Sequence, residues 1–278
     1  MNDVQPLTIT SKDGFPIAIN YFAPINAKAQ IVIAPAMGVP QRFYRYFSTW
    51  LQKHNYAVTT FDYRGIGESS PGTLKNFSAT LNDWAEKDAA AVLASVLDKG
   101  QPVIWIGHSF GGQSIGMIPR SEEITHAITI ASGSGYWRDV NPTQSIPSLV
   151  LWYGMVPVLS YLFGYFPGRK IGLIGDIPKQ AMWQWRRWCL NPTYLFGAEP
   201  EATRDSYKRL TFPLTSFSFA DDEMMTKRGV DLVHSFYSNA QLTRHHYQAS
   251  EFGLKRIGHL DFFKEGRERL WESMVFLP

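Results

Sequence analysis

The sequence predicts an α/β fold in which a mostly parallel central sheet carries helices on both faces and is interrupted by an inserted helical segment. Three observations carry that prediction. Short β-branched runs alternate with amphipathic helical stretches up to residue 131. A glycine-flanked serine, Gly107-His108-Ser109-Phe110-Gly111, stands between one such run and the stretch that can continue as a helix. The alternation then stops near residue 136 and resumes near residue 214, with an aromatic-rich stretch between.

Residues 8–10 and 17–22 are expected as two opening strands joined by the turn signal Lys12-Asp13-Gly14, hence as an antiparallel hairpin. Ile31-Val32-Ile33 reads as a buried strand, residues 42–54 as a helix and residues 57–61 as the next strand. A helix over 82–97 places Trp84, Val92, Leu93, Val96 and Leu97 on one face. Pro102-Val103-Ile104-Trp105-Ile106 is apolar throughout, as a strand buried on both faces must be, with a helix over 113–118 and a strand over 127–131 to follow. Such alternation implies a parallel sheet with right-handed crossovers and helices on both faces. After the interruption a strand is expected at 214–219, a helix around 230–237, a strand near 247–251, a final strand through Leu254-Lys255-Arg256, and a closing helix over 262–277. Residues 1–135 and 201–278 therefore read as one domain, with residues 136–200 inserted as a helical cap. That cap holds five of the nine tryptophans, Trp137, Trp152, Trp183, Trp185 and Trp188.

At 278 residues the chain can bury a substantial core. Its net charge of +3 is small and its basic residues are scattered, so no nucleic-acid partner is expected. The lone Cys189 rules out an intrachain disulfide and a cysteine-built zinc site. The first residues lack the basic start and apolar core of a signal peptide, so a cytoplasmic protein is expected. Residues 140–168 carry no charge, but Pro147, Gly154, Pro157, Gly164 and Pro167 punctuate them. The expectation is two or three short helices over an apolar cavity, whose outer face can touch lipid or oily substrate, and no stable membrane span. Gly65 and Gly67 begin a G-x-G pattern whose third glycine would fall at Ser70, and no phosphate-binding lysine loop occurs, so no nucleotide cofactor is expected. No H-E-x-x-H or carboxylate–histidine cluster suggests a metal.

The chemistry is expected at Ser109. G-x-S-x-G between a strand and a helix forms a turn so tight that a Cβ two residues to either side of the serine would clash, and it pushes the hydroxyl into the open. A serine hydroxyl needs a neutral imidazole to take its proton, and the imidazole needs a carboxylate to fix its tautomer. In an open α/β sheet these partners belong past the carboxyl ends of later strands. Asp221-Asp222-Glu223 follows one expected strand and Gly258-His259 follows the last. His259 is the expected base. His245 and His246 are expected at the start of a strand and so at the wrong edge, while His54, His126 and His234 fall on helix ends or strand starts. His108 is read as packing or turn support. Asp222 is preferred over Asp221 as the acid, because Asp222-Glu223-Met224-Met225-Thr226 fits an acid followed by a short turn into a helix.

The order Ser109, Asp222, His259 resembles that of the α/β-hydrolase family. Asp62-Tyr63-Arg64-Gly65-Ile66-Gly67-Glu68-Ser69 resembles the D-x-R-G-x-G-x-S turn after that family's fourth strand, and Gly258-His259 resembles its terminal G-H. The likeness runs from about residue 15 to the end, except through the cap, and is nearest to bacterial predicted hydrolases with a P-A-x-G-V loop and a G-H-x-x-F-F ending. The chain departs from the family where His-Gly often follows the third strand, reading Pro35-Ala36-Met37-Gly38-Val39-Pro40 instead. An oxyanion hole needs only backbone donors: Phe110 N–H with Val39 N–H, or with Met37 N–H if the loop bends differently. The resemblance implies a serine hydrolase that cleaves the carboxylic ester, thioester or amide of an apolar acyl group through an acyl-serine intermediate. Trp152, Trp183, Trp185 and Trp188 of the cap are expected around the substrate. An acyltransferase with the same triad and a non-catalytic binder of a small ligand are the alternatives.

Overall fold

A computed structural model describes residues 4–173 and 175–274. Its strands, in chain order, are β1 (Val4–Thr10), β2 (Pro16–Phe22), β3 (Gln30–Ala34), β4 (Ala57–Phe61), β5 (Val103–His108), β6 (His126–Ile130), β7 (Tyr165–Phe166), β8 (Ile177–Pro178), β9 (Pro213–Phe219) and β10 (Gln241–Tyr247). Eight of them form one sheet in the order β1-β2-β4-β3-β5-β6-β9-β10, while β7 and β8 pair with each other. β1 and β2 join antiparallel to their neighbours, and every other ladder of the large sheet is parallel.

Side-chain alternation divides the central strands between two apolar cores. Ile31, Ile33, Ile104, Ile106, Ile128 and Ile130 face one core with Phe47, Phe262 and Trp271. Val32, Ala34, Val103 and Trp105 face the other with Trp84, Leu93 and Phe110. The first is closed by helices Arg45–Lys53 and Glu268–Met274. The second is closed by Ala90–Leu97, by helix Phe110–Gln113 after the tight turn at Ser109 (the elbow), and by residues of the 136–200 segment. The 82–97 helix starts on a capping box in which Thr80 N–H donates to Asp83 Oδ2 (2.8 Å) and Asp83 N–H donates to Thr80 Oγ1 (3.0 Å).

Three expectations change. The last strand is β10, not residues 247–251 or 254–256: it lies on the sheet edge, where exposure of both faces removes the apolar pattern that marks buried strands. Residues 254–256 instead run without regular structure between Gly253 and Gly258, both at positive φ. The closing helix is Glu268–Met274, preceded by a short 3-10 turn at Asp261–Phe263; residues 275–277 of the expected helix lie outside the described residues. The uncharged stretch forms one continuous helix, Pro142–Phe163, instead of two or three short ones. A wide π-helical turn at Leu151–Met155 precedes Pro157 and accommodates its ring and missing N–H, and Gly164 in the left-handed region ends the helix. It is the one helix among the described residues long and apolar enough to cross a membrane.

His234, at the end of helix Lys227–His234, is fully buried, with Nδ1 on the Val230 carbonyl (2.8 Å) and Nε2 on Thr129 Oγ1 (2.8 Å). Burial pushes its imidazole down to about 4. Between the ordinary histidine value of about 6.5 and that lowered value the unfolded chain binds a proton that the native chain refuses. The neutral ring's stability is therefore complete above pH 6.5 or so and is lost as pH falls towards 4. Urea midpoints measured across this range should fall less steeply with acid for His234→Gln than for the wild type; equal slopes would contradict the assignment.

Candidate active site

Every loop of interest leaves the carboxyl edge of the sheet, beside the point where β3 and β5 adjoin and the chain has run out to β4 before returning. Ser109 follows β5 at φ 50° and ψ −114°, a conformation that L-residues rarely adopt. Its N–H donates to the Ile130 carbonyl at the end of β6 (2.9 Å), and its carbonyl accepts from Gly112 and Gln113. The surrounding glycines are demanded by sterics. A Cβ on Gly107 would overlap Gly112, one on Gly111 would overlap the Ala34 carbonyl of β3, and one on Gly112 would overlap Ser132 Oγ.

After β9 three successive acids grip the loop that carries His259. Asp221 accepts from Ile257 N–H (2.8 Å) and Gly258 N–H (3.1 Å). Glu223 Oε2 accepts from His259 N–H (3.3 Å) and pairs with Arg256 (2.8 Å). Asp222 alone reaches the ring: its Oδ2 lies 2.9 Å from His259 Nδ1, while Oδ1 accepts from Met224 N–H (2.8 Å) and Met225 N–H (2.9 Å). With side chains 1 % and 4 % exposed, Asp222 and His259 are both nearly dry. A carboxylate oxygen can only accept from Nδ1–H, so the ring's Nε2 is left bare and able to take a proton.

His108, inside the elbow motif, binds the opposite side of this loop. Ala36 N–H donates to the Tyr44 hydroxyl (2.8 Å), Tyr44 lies 2.8 Å from His108 Nδ1, and His108 Nε2 lies 2.9 Å from the His259 carbonyl. A carbonyl only accepts, so Nε2 carries the proton and Nδ1 accepts from Tyr44. Complete burial, then the nearby His259, hold His108 well below the ordinary imidazole range and keep it neutral. One buried chain of bonds thus ties the loop after β3, the elbow and the His259 loop together.

The loop after β3 corrects one expectation. Val39 N–H donates to the Ala36 carbonyl (3.1 Å), closing a turn around Gly38 at φ +70°, and so has no proton to offer a ligand. Among the described residues, the N–H groups of Met37 and Phe110 make no hydrogen bond; Phe110 opens its helix, where the first N–H groups have no partner within the helix. Asp62, Arg64 and Ser69 of the glycine-rich turn act on the fold. Asp62 accepts from Gln41 N–H and Glu68 N–H, Ser69 Oγ donates to the Asp62 carbonyl, and Arg64 pairs with Asp88 and Asp13.

Beside the Asp222 and His259 loops lies a cavity of about 310 Å³ whose lining includes Trp152, Met182, Trp185, Met224, Met225 and Leu260. The two other expected pocket tryptophans lie elsewhere. Trp183 is on the surface, because it falls on the outer face of helix Lys179–Cys189. Trp188 is fully buried against Phe110 and Tyr194, its Nε1–H on Glu199 (2.6 Å). The same helix is tied to the elbow through Trp185 Nε1–H to the Tyr194 hydroxyl (3.0 Å) and from that hydroxyl to Gln113 (3.1 Å). His245 and His246 sit in the carboxyl half of β10, not at a strand start, with His245 stacked on Phe217 and His246 Nδ1 2.9 Å from Ser218 Oγ. Sequence reasoning missed Tyr44 and the loop-holding roles of Asp221 and Glu223; spacing alone carries no signal for contacts between such distant segments.

The elbow's packing makes a direct prediction. Gly111→Ala should cost about 3 kcal/mol or more, since no small shift clears a Cβ from the β3 backbone. Gly154→Ala, with nothing near its Cβ, should stabilise by about 0.5–1 kcal/mol through helix propensity. Denaturation curves check both, and a tolerated Gly111→Ala would contradict the packing argument.

These features coincide with what comparison finds. The model of the alpha/beta hydrolase family matches residues 31–265. No curated protein sequence matches the chain. Among solved structures, a soluble variant of monoglyceride lipase from Saccharomyces cerevisiae, bound to a substrate analogue, superposes with TM-score 0.68 at 15% identity, over 98% of this chain and 93% of that one. The Pyrococcus furiosus esterase PF2001 gives TM-score 0.60 at 13% identity, over 98% and 88%. A thermostable carboxyl esterase from Bacillus coagulans in complex with glycerol gives 0.61 at 13%, over 89% and 91%. At these identities the likeness is one of fold. With the family model spanning most of its length and the strand order, elbow and acid–histidine pair described above, the chain belongs to the alpha/beta hydrolase family.

Proposed function

We propose that the protein is a serine hydrolase that cleaves the carboxylic ester of an apolar acyl group. The observation that carries this reading is the buried Asp222–His259 bond, which orients a ring with a bare Nε2 in a loop bonded to the residue next to Ser109. In this reading His259 takes the Ser109 proton as the hydroxyl attacks the ester carbon. The negative charge moves to the carbonyl oxygen, where the N–H groups of Phe110 and Met37 stabilise it. Collapse of the tetrahedral intermediate returns the proton from His259 to the departing alcohol and leaves acyl-Ser109. Water, deprotonated by the same ring, then releases the acid. Asp222 stays ionised and stabilises the imidazolium. No metal or organic cofactor takes part. The inserted segment acts as a cap, and the cavity beside Met224 and Leu260 takes the acyl chain. The single, buried Cys189 fits a cytoplasmic site of action.

Ser109→Ala should lower kcat on acyl esters by a factor on the order of 10⁴ to 10⁶ with unchanged unfolding behaviour; a purified variant with full activity would sink the proposal. The two adjacent acids give a sharper test. Asp222→Asn should cost on the order of 10⁴ in kcat, since an amide stabilises the wrong tautomer of His259. Asp221→Asn, which loses only backbone contacts, should instead lower the melting temperature with a much smaller loss of kcat. The cavity sets a third outcome: kcat/KM should rise by up to about fourfold per added CH₂ of the acyl chain, equivalent to about 0.8 kcal/mol, and then level off. A preference for acetyl esters would assign the cavity another role.

A further inference from the structure

Helix Pro142–Phe163 turns one side to the protein and the other to solvent, and the solvent side is the more apolar than a water-facing helix should be. Trp152, Val156 and Ser160 are buried on the inner side, where Leu151 and Trp152 also line the cavity beside Met224 and Leu260. The outer side exposes Ile146 (74 %), Val150, Tyr153 (63 %), Val158, Tyr161 (82 %) and Leu162 (68 %), at steps of three or four positions except across the π-helical turn, where Tyr153 and Val158 are five apart, and at the adjacent Tyr161 and Leu162. Trp183, on the neighbouring helix, lies against the same Arg186 guanidinium as Tyr153. The helix carries no charge of either sign.

Two cations lie against aromatic rings of this helix and its neighbour, while Asp176 pairs with Arg169 beside Lys170. Lys170 Nζ lies 4.6 Å from the centre of the Phe163 ring, and the Arg186 guanidinium lies 5.1 Å from Tyr153 and 5.4 Å from Trp183. Neither cation pairs with a carboxylate among the described residues. We infer that this face docks on the surface of a lipid bilayer containing anionic phospholipids. The aliphatic residues would enter the acyl boundary, Tyr153, Tyr161 and Trp183 would lie at headgroup depth, and Lys170 and Arg186 would meet lipid phosphates. A second copy fits the face less well, because a twofold pairing would gather these cations from both chains with no carboxylate on either helix. Docking fits better than a span, because Trp152, Val156 and Ser160 of the inner side pack against the protein. Docking here would set the cavity, on the other side of the same helix, next to the bilayer. Where the proposed hydrolase reading holds, the substrate class is then an ester carried by the membrane.

Flotation with phosphatidylcholine vesicles, with and without phosphatidylglycerol, tests the inference. The wild type should float with the mixed vesicles and less well with phosphatidylcholine alone. The double variant Tyr161→Glu with Leu162→Glu should lose binding on the order of tenfold or more while keeping the wild-type melting temperature, since both side chains are exposed. Lys170→Gln should weaken binding to the mixed vesicles only. Ser109→Ala should bind like the wild type, which separates failure of docking from failure of the catalytic reading. A wild type that stays out of the mixed vesicles, or a double variant that binds as well as the wild type, overturns the inference. So does a wild-type dimer by light scattering that the double variant dissolves, which would assign the face to a second copy.

Discussion

The contact between the Gly111 backbone and the Ala34 carbonyl is the constraint on which the rest of the site depends. Because no side chain intervenes, the first turn of the helix after β5 sits against the end of β3, and Phe110 N–H and the loop after β3 come to the same sheet edge. The same closeness leaves Ser109 no relaxed conformation, so the backbone holds it at positive φ. Burial of Phe110 and Trp105 beneath the turn supplies the packing that offsets this strain.

Around that fixed point hydrogen bonds hold the loop bearing His259 and the loop after β3. The loop bearing His259 has no regular structure between Gly258 and Leu260, and its position comes from hydrogen bonds. Asp221, Asp222 and Glu223 hold its backbone and ring from one side, and His108 holds the His259 carbonyl from the other. His108 can also accept from Tyr44 at Nδ1 only while neutral, and complete burial holds its imidazole well below the ordinary range. Since Tyr44 also bonds Ala36 N–H, movement of the loop after β3 would be felt at His259. The acids divide the work by geometry: neighbouring side chains at a strand end diverge, so only one of them reaches the ring.

The parts legible in sequence are those set by local rules. Alternating β-branched runs marked β3 through β6, and glycine spacing marked the elbow, because periodicity and steric exclusion act within a few residues. The preference for Asp222 over Asp221 rested on the same local reasoning, the short turn that follows it. The parts that were not legible depend on distant partners. The edge strand β10 lacks a buried face and so lacks a pattern. The choice between Met37 and Val39 turned on a single turn closed by Ala36. Tyr44 and His108, 64 residues apart, carried no signal of their bond. Pro147, Gly154, Pro157, Gly164 and Pro167 suggested two or three short helices over 140–168, yet a single wide turn keeps residues 142–163 continuous.

The central proposal is that Ser109 is a nucleophile activated by His259, whose ring Asp222 orients. Labelling with a fluorophosphonate, which traps activated serine hydroxyls covalently, followed by peptide mass mapping, tests it most directly. The account predicts one equivalent of label on Ser109, formed far more slowly in His259→Ala. Absence of label, label on another residue, or labelling at an equal rate in His259→Ala would contradict it.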